Sequence, residues 1–243
     1  MDNLYKDLKN FGQVKANESL SKHTTFKVGG PVRFLVIVED TDKLVEALKY
    51  LDGMGEKYIV IAGGSNMLFS DDGFDGVVVK IANREQKVEG DSMIFGAGVV
   101  LGQALTIAAQ NGLSGLEWGV GVPGTVGGAV YGNAGAYGSD IGTVVEKVDV
   151  YRDGEIITLT KEECGFYYRG SDFKHHGGIV LRVYLKLKKG DKAEIMKTMQ
   201  ETIKIRVGKS PKGFSAGCFF KNIKLEDWEG DKSILPEKFL NYK

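Results

Sequence analysis

The chain has 243 residues, of which 42% are hydrophobic, so it is long enough to bury a sizeable core in one or two domains. Its 32 basic residues balance 32 acidic residues, so no net field attracts nucleic acid or an anionic membrane. No stretch approaches the roughly 20 apolar residues of a membrane span, and two cysteines with three histidines show neither a disulfide framework nor metal-ligand spacing. We therefore expect a cytoplasmic protein that does not insert into a membrane, holds no metal and binds no nucleic acid.

Short apolar runs alternate with helical patterns in the first half of the chain. Runs of branched apolar residues predict strands, and apolar residues at helical spacing predict helices. Thr41 or Asp42 is predicted to cap the first helix, and Gly112 is predicted to end the second. The predicted elements of this half are strands over 33–39, 58–62, 77–81 and 92–95 and helices over 44–51 and 101–110.

Glycine is concentrated in the middle of the chain, where 11 of the 31 residues from Gly112 to Gly142 are glycine. The residues between them are apolar rather than serine or charged, so the stretch is predicted to be ordered backbone packed closely against another group and not a linker. The elements predicted after it are a hairpin of strands over 144–152 and 155–159 with its turn at Asp153-Gly154, a strand over 178–187, and a helix capped by Asp191.

Three segments are candidates for binding a cofactor. Residues 61–66 follow a predicted strand, and their two glycines let backbone N–H groups approach a phosphate, although a tight turn that requires positive φ explains them equally well. Residues 119–138 contain more glycine than a turn needs and suit a diphosphate and a flat ring. Residues 23–31 offer hydroxyl groups, although a single histidine such as His23 is more often structural.

Taken together, these segments resemble the FAD-binding domain of the UDP-N-acetylenolpyruvoylglucosamine reductase family. The sequences HTTFKVGGP, AGGSNML and GVPGTVGGAVYGNAGAYG occur in the family's order, and the resemblance runs from about residue 17 to residue 222. It implies an α+β fold, with a two-subdomain FAD-binding domain of the vanillyl-alcohol oxidase/PCMH type followed by the start of a C-terminal substrate-binding domain. The implied bounds are 1–208 for the FAD-binding domain, with subdomains of roughly 1–82 and 83–208, and 209–243 for the beginning of an incomplete C-terminal domain.

The same resemblance implies the ligands and the reaction. FAD is expected to bind non-covalently, with NADPH as co-substrate and UDP-N-acetylglucosamine enolpyruvate as the small-molecule substrate. The product is UDP-N-acetylmuramate, a precursor of peptidoglycan, and the protein is expected to be a monomer. The implied FAD-binding residues are Thr24, Thr25, Gly63, Gly64, Ser65, Asn66, Gly124, Thr125, Val126, Gly127, Gly128, Asn133 and Ala134.

Two later motifs match the family's catalytic segments. YYRGSDFK has Arg169 where the family's arginine contacts the enolpyruvyl carboxylate, and a guanidinium suits a carboxylate because it binds bidentately and stays charged. SAGCFFKN has Cys218 where the family's proton donor is commonly serine, and a free thiol, which titrates at roughly pH 8.5, is still able to donate a proton at neutral pH. Tyr168 and Lys209 are the implied substrate-binding residues. The alternatives are a surface arginine and a structural cysteine, and the structural interpretation is preferred for Cys164.

The sequence departs from the family pattern at its end. No segment before Lys243 resembles the family's late glutamate motif, so we expect these residues alone to bind FAD and to show weak or no reductase activity. The alternatives to the reductase are a non-catalytic FAD-binding remnant, another oxidoreductase of the same FAD fold such as an alcohol or lactone oxidase, and a nucleotide-binding regulatory module without flavin.

Overall fold

The computed structural model describes residues 3–209, 213–218, 220–222, 229–231 and 234. The helices in these ranges are α1 (Asn3–Leu8), α2 (Thr41–Met54), α3 (Leu101–Gln110), α4 (Val126–Gly132), α5 (Phe173–His176) and α6 (Lys192–Lys209). The strands are β1 (Gln13–Ser19), β2 (Pro31–Val38), β3 (Tyr58–Ile61), β4 (Phe74–Ile81), β5 (Gln86–Glu89), β6 (Ser92–Gly96), β7 (Leu113–Ser114), β8 (Gly135–Ala136), β9 (Ser139–Asp140), β10 (Val145–Arg152), β11 (Glu155–Thr160), β12 (Ile179–Lys186) and β13 (Lys188–Lys189).

The first sheet has four strands in the order β1-β2-β4-β3. β1 is antiparallel to β2, whereas β4 is parallel to both β2 and β3. α2 connects β2 to β3, and its buried residues, such as Leu44 and Leu48, join the hydrophobic cluster of this sheet. Because β3 ends at Ile61, the loop that follows starts at the carboxyl edge of the parallel strands, which is where ligands commonly bind in parallel sheets.

The second sheet has five antiparallel strands in the order β11-β10-β12-β6-β5. Its predicted hairpin is confirmed, and both turn residues have positive φ, +52° at Asp153 and +84° at Gly154. One hydrophobic cluster runs through both sheets and includes buried residues of α2, α3 and α4. The predicted α+β class is therefore confirmed, while the division into subdomains at residues 82 and 83 stays a prediction.

The capping residues of two helices were predicted from local sequence, one correctly and one not. The predicted cap at Asp191 is confirmed, because its carboxylate accepts hydrogen bonds from the first N–H groups of α6. The predicted cap at Thr41 or Asp42 was wrong by one or two residues, since Asp40 accepts from the Lys43 N–H at 2.8 Å. α6 is the longest helix of the described ranges, and no helix there is long and apolar enough to cross a membrane.

Candidate cofactor and active site

Two glycine-containing loops meet at the edge of the first sheet. The first loop, residues 63–66, follows β3, and the second, residues 121–125, precedes α4. A Cβ added at Gly63 would lie 3.0 Å from the Gly124 Cα, and the Ser65 hydroxyl donates to the Pro123 carbonyl at 3.2 Å. The loops are thus in direct contact, and their approach depends on residues without side chains at the point where they touch.

Both loops present unpaired backbone donors. Among the described residues, no hydrogen-bond acceptor is available to the N–H groups of Gly63, Gly64, Ser65 and Asn66 in the first loop or of Gly124 and Thr125 in the second. Backbone N–H groups rarely remain unpaired in a folded protein, and adjacent ones in a turn bind anions such as phosphate. A dinucleotide diphosphate has the charge and the acceptor oxygens to pair with them, so the residues present fit FAD.

The start of α4 differs, because its N–H groups already have acceptors inside the protein. Val126 N donates to the Val99 carbonyl at 2.9 Å, Gly127 N to the Ala97 carbonyl at 3.0 Å, and Gly128 N to the Thr125 hydroxyl at 3.3 Å. Packing also requires a glycine at 127, since an added Cβ would lie 2.5 Å from the Ala97 Cβ. Contact of residues 126–128 with FAD stays a prediction, and the geometry leaves van der Waals contact as its main form.

The first loop also carries the Cys218 segment. The Asn66 side-chain amide donates to the Ala216 carbonyl at 2.7 Å and to the Cys218 carbonyl at 3.2 Å. The Thr25 hydroxyl donates to the Ser215 carbonyl at 2.7 Å. The predicted proton donor is therefore held on the loop that offers the unpaired amides, and its side chain is exposed.

Thr24 has a different environment from its neighbour. Its side chain is only 2% exposed, and its hydroxyl donates to the Val28 carbonyl at 3.2 Å, which closes the turn before β2. Contact of Thr24 with FAD stays a prediction, and the hydrogen bond to Val28 indicates that Thr24 stabilises the turn that carries Thr25.

The turn that contains Arg169 is bound to α4 and to the residues after it. Three hydrogen bonds make this connection: the Asn133 side-chain amide to the Tyr167 carbonyl at 3.0 Å, the Ser171 hydroxyl to the Tyr131 carbonyl at 2.6 Å, and Arg169 Nη1 to the Gly135 carbonyl at 2.6 Å. The side-chain oxygen of Asn133 also accepts from the Gly142 N–H, so both the nitrogen and the oxygen of this amide form hydrogen bonds with the protein backbone. Ala134, another predicted FAD-binding residue, follows directly and is half-buried.

The backbone of this turn is strained at Arg169. Its φ of +58° lies in the left-handed region that residues with side chains rarely adopt. A backbone bridge between Tyr167 and Gly170 closes the turn, and a Cβ at Gly170 would overlap the Tyr167 ring. Such strain persists only when the surroundings hold it, and it is concentrated at functional sites.

Three cationic side chains surround this turn. Among the described residues, no carboxylate forms an ion pair with Arg169, Lys174 or Lys221. Burial lowers the pKa of Lys174, and the charge of Lys221 lowers it further. The Lys221 ammonium lies 4.9 Å from the centre of the Tyr167 ring, and the guanidinium of Arg169 lies 5.6 Å from that of Tyr168. This unbalanced positive charge favours an anionic ligand.

Sequence reasoning missed part of this site. Ser171 and Lys221 lie inside the quoted motifs. Their closeness to predicted catalytic residues could have identified them, because Ser171 is two residues after Arg169 and Lys221 is three residues after Cys218. Ser171 is completely buried, so its hydrogen bond to α4 is structural. Tyr168 is 53% exposed beside Arg169, as a substrate contact requires. Lys209 is the last residue of α6, and its side chain lies outside the described residues.

Replacing Gly64 with alanine is expected to weaken FAD binding about tenfold or more. Gly64 has a φ of +61°, and an added Cβ would lie 2.1 Å from the His23 carbonyl oxygen. Without FAD, the Gly64→Ala variant relieves this clash by moving the loop. FAD binding then forces the new alanine back into the left-handed conformation, at a cost of about 1–2 kcal/mol. Titration followed by flavin fluorescence measures the change.

The matched control for this variant is Gly53→Ala. Gly53 lies near the end of α2, and an added Cβ meets nothing within 4 Å. We expect this control to bind FAD like the parent chain and to be slightly more stable, since alanine favours the helix. Equal FAD affinity for Gly64→Ala and Gly53→Ala would contradict the role given to the first loop.

Comparison with known proteins first places the fold. The profile of the FAD binding domain family matches residues 32–160. 6-hydroxy-D-nicotine oxidase from Arthrobacter nicotinovorans superposes with a TM-score of 0.57 at 19% identity, covering 73% of this chain and 42% of the oxidase, and this likeness concerns the fold alone. Fold and family model together define a FAD-binding protein whose fold is of the vanillyl-alcohol oxidase/PCMH type.

Closer similarity identifies the family. The UDP-N-acetylenolpyruvoylglucosamine reductase of Halalkalibacterium halodurans is 40% identical over 215 residues, which cover 87% of this chain and 71% of that protein. The crystal structure of the corresponding reductase from Thermus caldophilus superposes with a TM-score of 0.73 at 39% identity, covering 87% of this chain and 74% of that one. The chain belongs to the UDP-N-acetylenolpyruvoylglucosamine reductase family.

Proposed function

We propose that the chain reduces UDP-N-acetylglucosamine enolpyruvate to UDP-N-acetylmuramate with FAD as its bound cofactor and NADPH as the source of electrons. The reaction supplies a precursor of peptidoglycan. The single observation that best supports this proposal is that residues 63–66 contact both the second loop and the Cys218 segment. One loop thereby connects the unpaired amides, which suit a diphosphate, to a group able to donate a proton.

FAD would be held by the amides of the two loops, and when bound it supplies the hydride chemistry of the reaction. Hydride addition to the enolpyruvyl double bond moves negative charge towards the carboxylate of the substrate. Arg169 is suited to bind that carboxylate, because its guanidinium is always charged and one of its nitrogens is fixed by the Gly135 carbonyl. Lys174 and Lys221 add positive potential around the same turn.

Cys218 would then give its thiol proton to C2 of the substrate. Lys221 contacts the Tyr167 ring and is three residues from Cys218. The Cα atoms of Cys218 and Lys221 are therefore at most about 11 Å apart. Thr25 and Asn66 act as positioning residues, since their hydrogen bonds fix the backbone on both sides of Gly217. Tyr168 and Lys209 are proposed to contact the substrate.

The proposal places the chain in the cytoplasm as a monomer. Cys164 and Cys218 are both free thiols, one buried and one exposed. An exposed free thiol is typical of a reducing compartment, where disulfides do not persist. Size-exclusion chromatography with light scattering tests the oligomeric state.

The first test of the proposal is spectroscopic. We expect the purified chain to bind FAD, to turn yellow and to quench flavin fluorescence. NADPH consumption is expected to be weak, and to be faster with UDP-N-acetylglucosamine enolpyruvate than without it. A folded chain that stays colourless in excess FAD would refute cofactor binding. A yellow chain whose NADPH consumption ignores the substrate would instead support another oxidoreductase of this fold or a non-catalytic remnant.

A further inference from the structure

The Cys218 segment contacts the turn that contains Arg169 through a lysine. The Lys221 ammonium lies 4.9 Å from the centre of the Tyr167 ring, and Tyr167 is part of that turn. Burial, and then the charge of Lys221, lower the pKa of Lys174, whose ammonium donates to the Arg169 carbonyl at 2.8 Å. Two elements that are far apart in sequence, one with the predicted proton donor and one with the predicted carboxylate-binding arginine, therefore meet at Tyr167.

The Tyr167 ring is fixed by its own neighbours. The N–H and carbonyl of Tyr167 pair with those of Gly170 at 3.0 Å each, and the carbonyl also accepts from the Asn133 side-chain amide at 3.0 Å. A Cβ at Gly170 would overlap the ring, so the ring lies directly over that residue. The ring also stacks on His175 of α5, with 5.9 Å between the ring centres, and the hydroxyl forms a hydrogen bond of 3.0 Å with His175 Nε2. The ring is therefore a fixed surface for Lys221.

Cys218 lies between two contacts of its segment. On one side, the side chains of Thr25 and Asn66 bind carbonyl groups of residues 215, 216 and 218. On the other side, three residues further on, Lys221 lies over the Tyr167 ring. The first contact joins the proton donor to the loop with the unpaired amides, and the second joins it to the arginine turn.

The proposed reaction requires Arg169 and Cys218 to act on adjacent atoms. In the enolpyruvyl group, C2 is bonded directly to the carboxylate carbon. Arg169 is proposed to bind the carboxylate and Cys218 to give a proton to C2, so both side chains have to reach the same three-carbon unit. Reacting atoms have to lie about 3–3.5 Å apart, and a misplacement of about 1 Å can slow a reaction roughly 100-fold. The separation of the two elements is therefore a condition of the reaction.

We propose that Tyr167 is a positioning residue, whose ring holds Lys221 and thereby keeps Cys218 within reach of the carbon next to the carboxylate that Arg169 binds. This inference rests on the proposed function, because it uses the roles given there to Arg169 and Cys218. Tyr167 acts through Lys221 and not by contact with the reacting atoms. Lys221 is exposed, and an exposed ammonium over a tyrosine ring is favoured about two- to fivefold over the separated groups. This factor limits the size of the effect.

Tyr167→Leu is the test, since leucine removes the ring but keeps an apolar side chain over Gly170. We expect reoxidation of the reduced flavin by UDP-N-acetylglucosamine enolpyruvate, in a single turnover followed by stopped-flow absorbance, to slow about two- to fivefold. FAD affinity and flavin reduction by NADPH are expected to stay unchanged, because neither needs a proton from Cys218. Tyr167→Phe keeps the ring and is expected to recover most of the rate. In a Lys221→Met background, Tyr167→Leu is expected to have no further effect, because both substitutions remove the same contact.

Tyr184→Leu is the matched control. The Lys147 ammonium lies 4.5 Å from the centre of the Tyr184 ring, and both residues belong to the second sheet. We expect this control to keep the parent rate of reoxidation.

Lysine labelling tests the contact itself without turnover. The FAD-bound chain is treated briefly with acetic anhydride, and mass spectrometry gives the labelled fraction of Lys221. We expect Lys221 to be labelled about two- to fivefold faster in Tyr167→Leu than in the parent, and equally fast in Tyr184→Leu and the parent.

Unchanged labelling of Lys221 in Tyr167→Leu, or a rate loss no larger than that of Tyr184→Leu, would show that Tyr167 does not position the proton donor. A loss of FAD affinity as large as the loss of rate would make Tyr167 a structural residue of its turn and would also overturn the inference. Tyr167→Met replaces Tyr167→Leu should the latter not fold. A parent chain whose reduced flavin is not reoxidised by the substrate refutes the proposed function itself, and the labelling of Lys221 still decides whether Tyr167 holds it.

Discussion

Arg169→Met is expected to lower turnover of UDP-N-acetylglucosamine enolpyruvate about 10²- to 10³-fold, which is the typical loss when one preorganised charge-stabilising group is removed. The side chain is preorganised because its backbone is fixed at a φ of +58° and its Nη1 is bonded to the Gly135 carbonyl. Among the described residues, the other guanidinium nitrogens of Arg169 have no hydrogen-bond acceptor, so they can bind an external one. Single-turnover reoxidation of the reduced flavin by the substrate, followed by stopped-flow absorbance relative to the parent chain, measures the change even where steady-state turnover is weak.

The control for this variant is Arg169→Lys. Lysine keeps the positive charge but lacks the planar fork, so we expect an intermediate rate and a smaller loss of substrate binding. FAD affinity is expected to stay near that of the parent in both variants, because the unpaired amides lie on other loops. Turnover of Arg169→Met within threefold of the parent, with FAD bound, would show that Arg169 is not required for the chemistry.

Strong local patterns were sufficient to predict much of the fold. α3 begins and ends where its apolar spacing and Gly112 predict, at Leu101 and Gln110. The hairpin of β10 and β11 follows from Asp153-Gly154 between two alternating segments. In both cases the determining signal lies within a few neighbouring residues.

Elements that depend on tertiary contacts were missed. α4 contains three glycines among its seven residues, which intrinsic preference disfavours in a helix. It forms there because the Thr125 hydroxyl caps it and because the Val99 and Ala97 carbonyls accept its first N–H groups. β1 is a polar edge strand without buried residues, so its sequence carries no alternation from which to predict it.

The sequence predicted the motifs of the site but not how they contact one another in the folded protein. Sequence identified Thr25 and Asn66 as FAD-binding residues, whereas the structure shows both side chains bonded to residues 215–218. These partners are 150 to 190 residues away along the chain, and no local periodicity encodes such a contact.

Cys218→Ala is expected to slow the substrate-dependent step about 10²- to 10⁴-fold, the usual contribution of a positioned proton donor. Alanine has no proton to give to C2 of the substrate, and the hydrogen bond from Asn66 to residue 218 goes to its backbone carbonyl, so the variant keeps the local structure. Stopped-flow absorbance separates the two halves of the reaction. We expect flavin reduction by NADPH to be unchanged and flavin reoxidation by the substrate to be slow.

Two further variants separate proton donation from other effects of cysteine loss. Cys218→Ser restores a donor and is expected to bring the rate to within about tenfold of the parent, since a hydroxyl group can also give a proton to C2. Cys164→Ala is the control, because Cys164 is fully buried and burial raises its pKa to about 12, so it neither reacts nor donates at neutral pH. Equal reoxidation rates for the parent and Cys218→Ala would remove Cys218 from the mechanism, because the proton would then have to come from solvent or from another side chain.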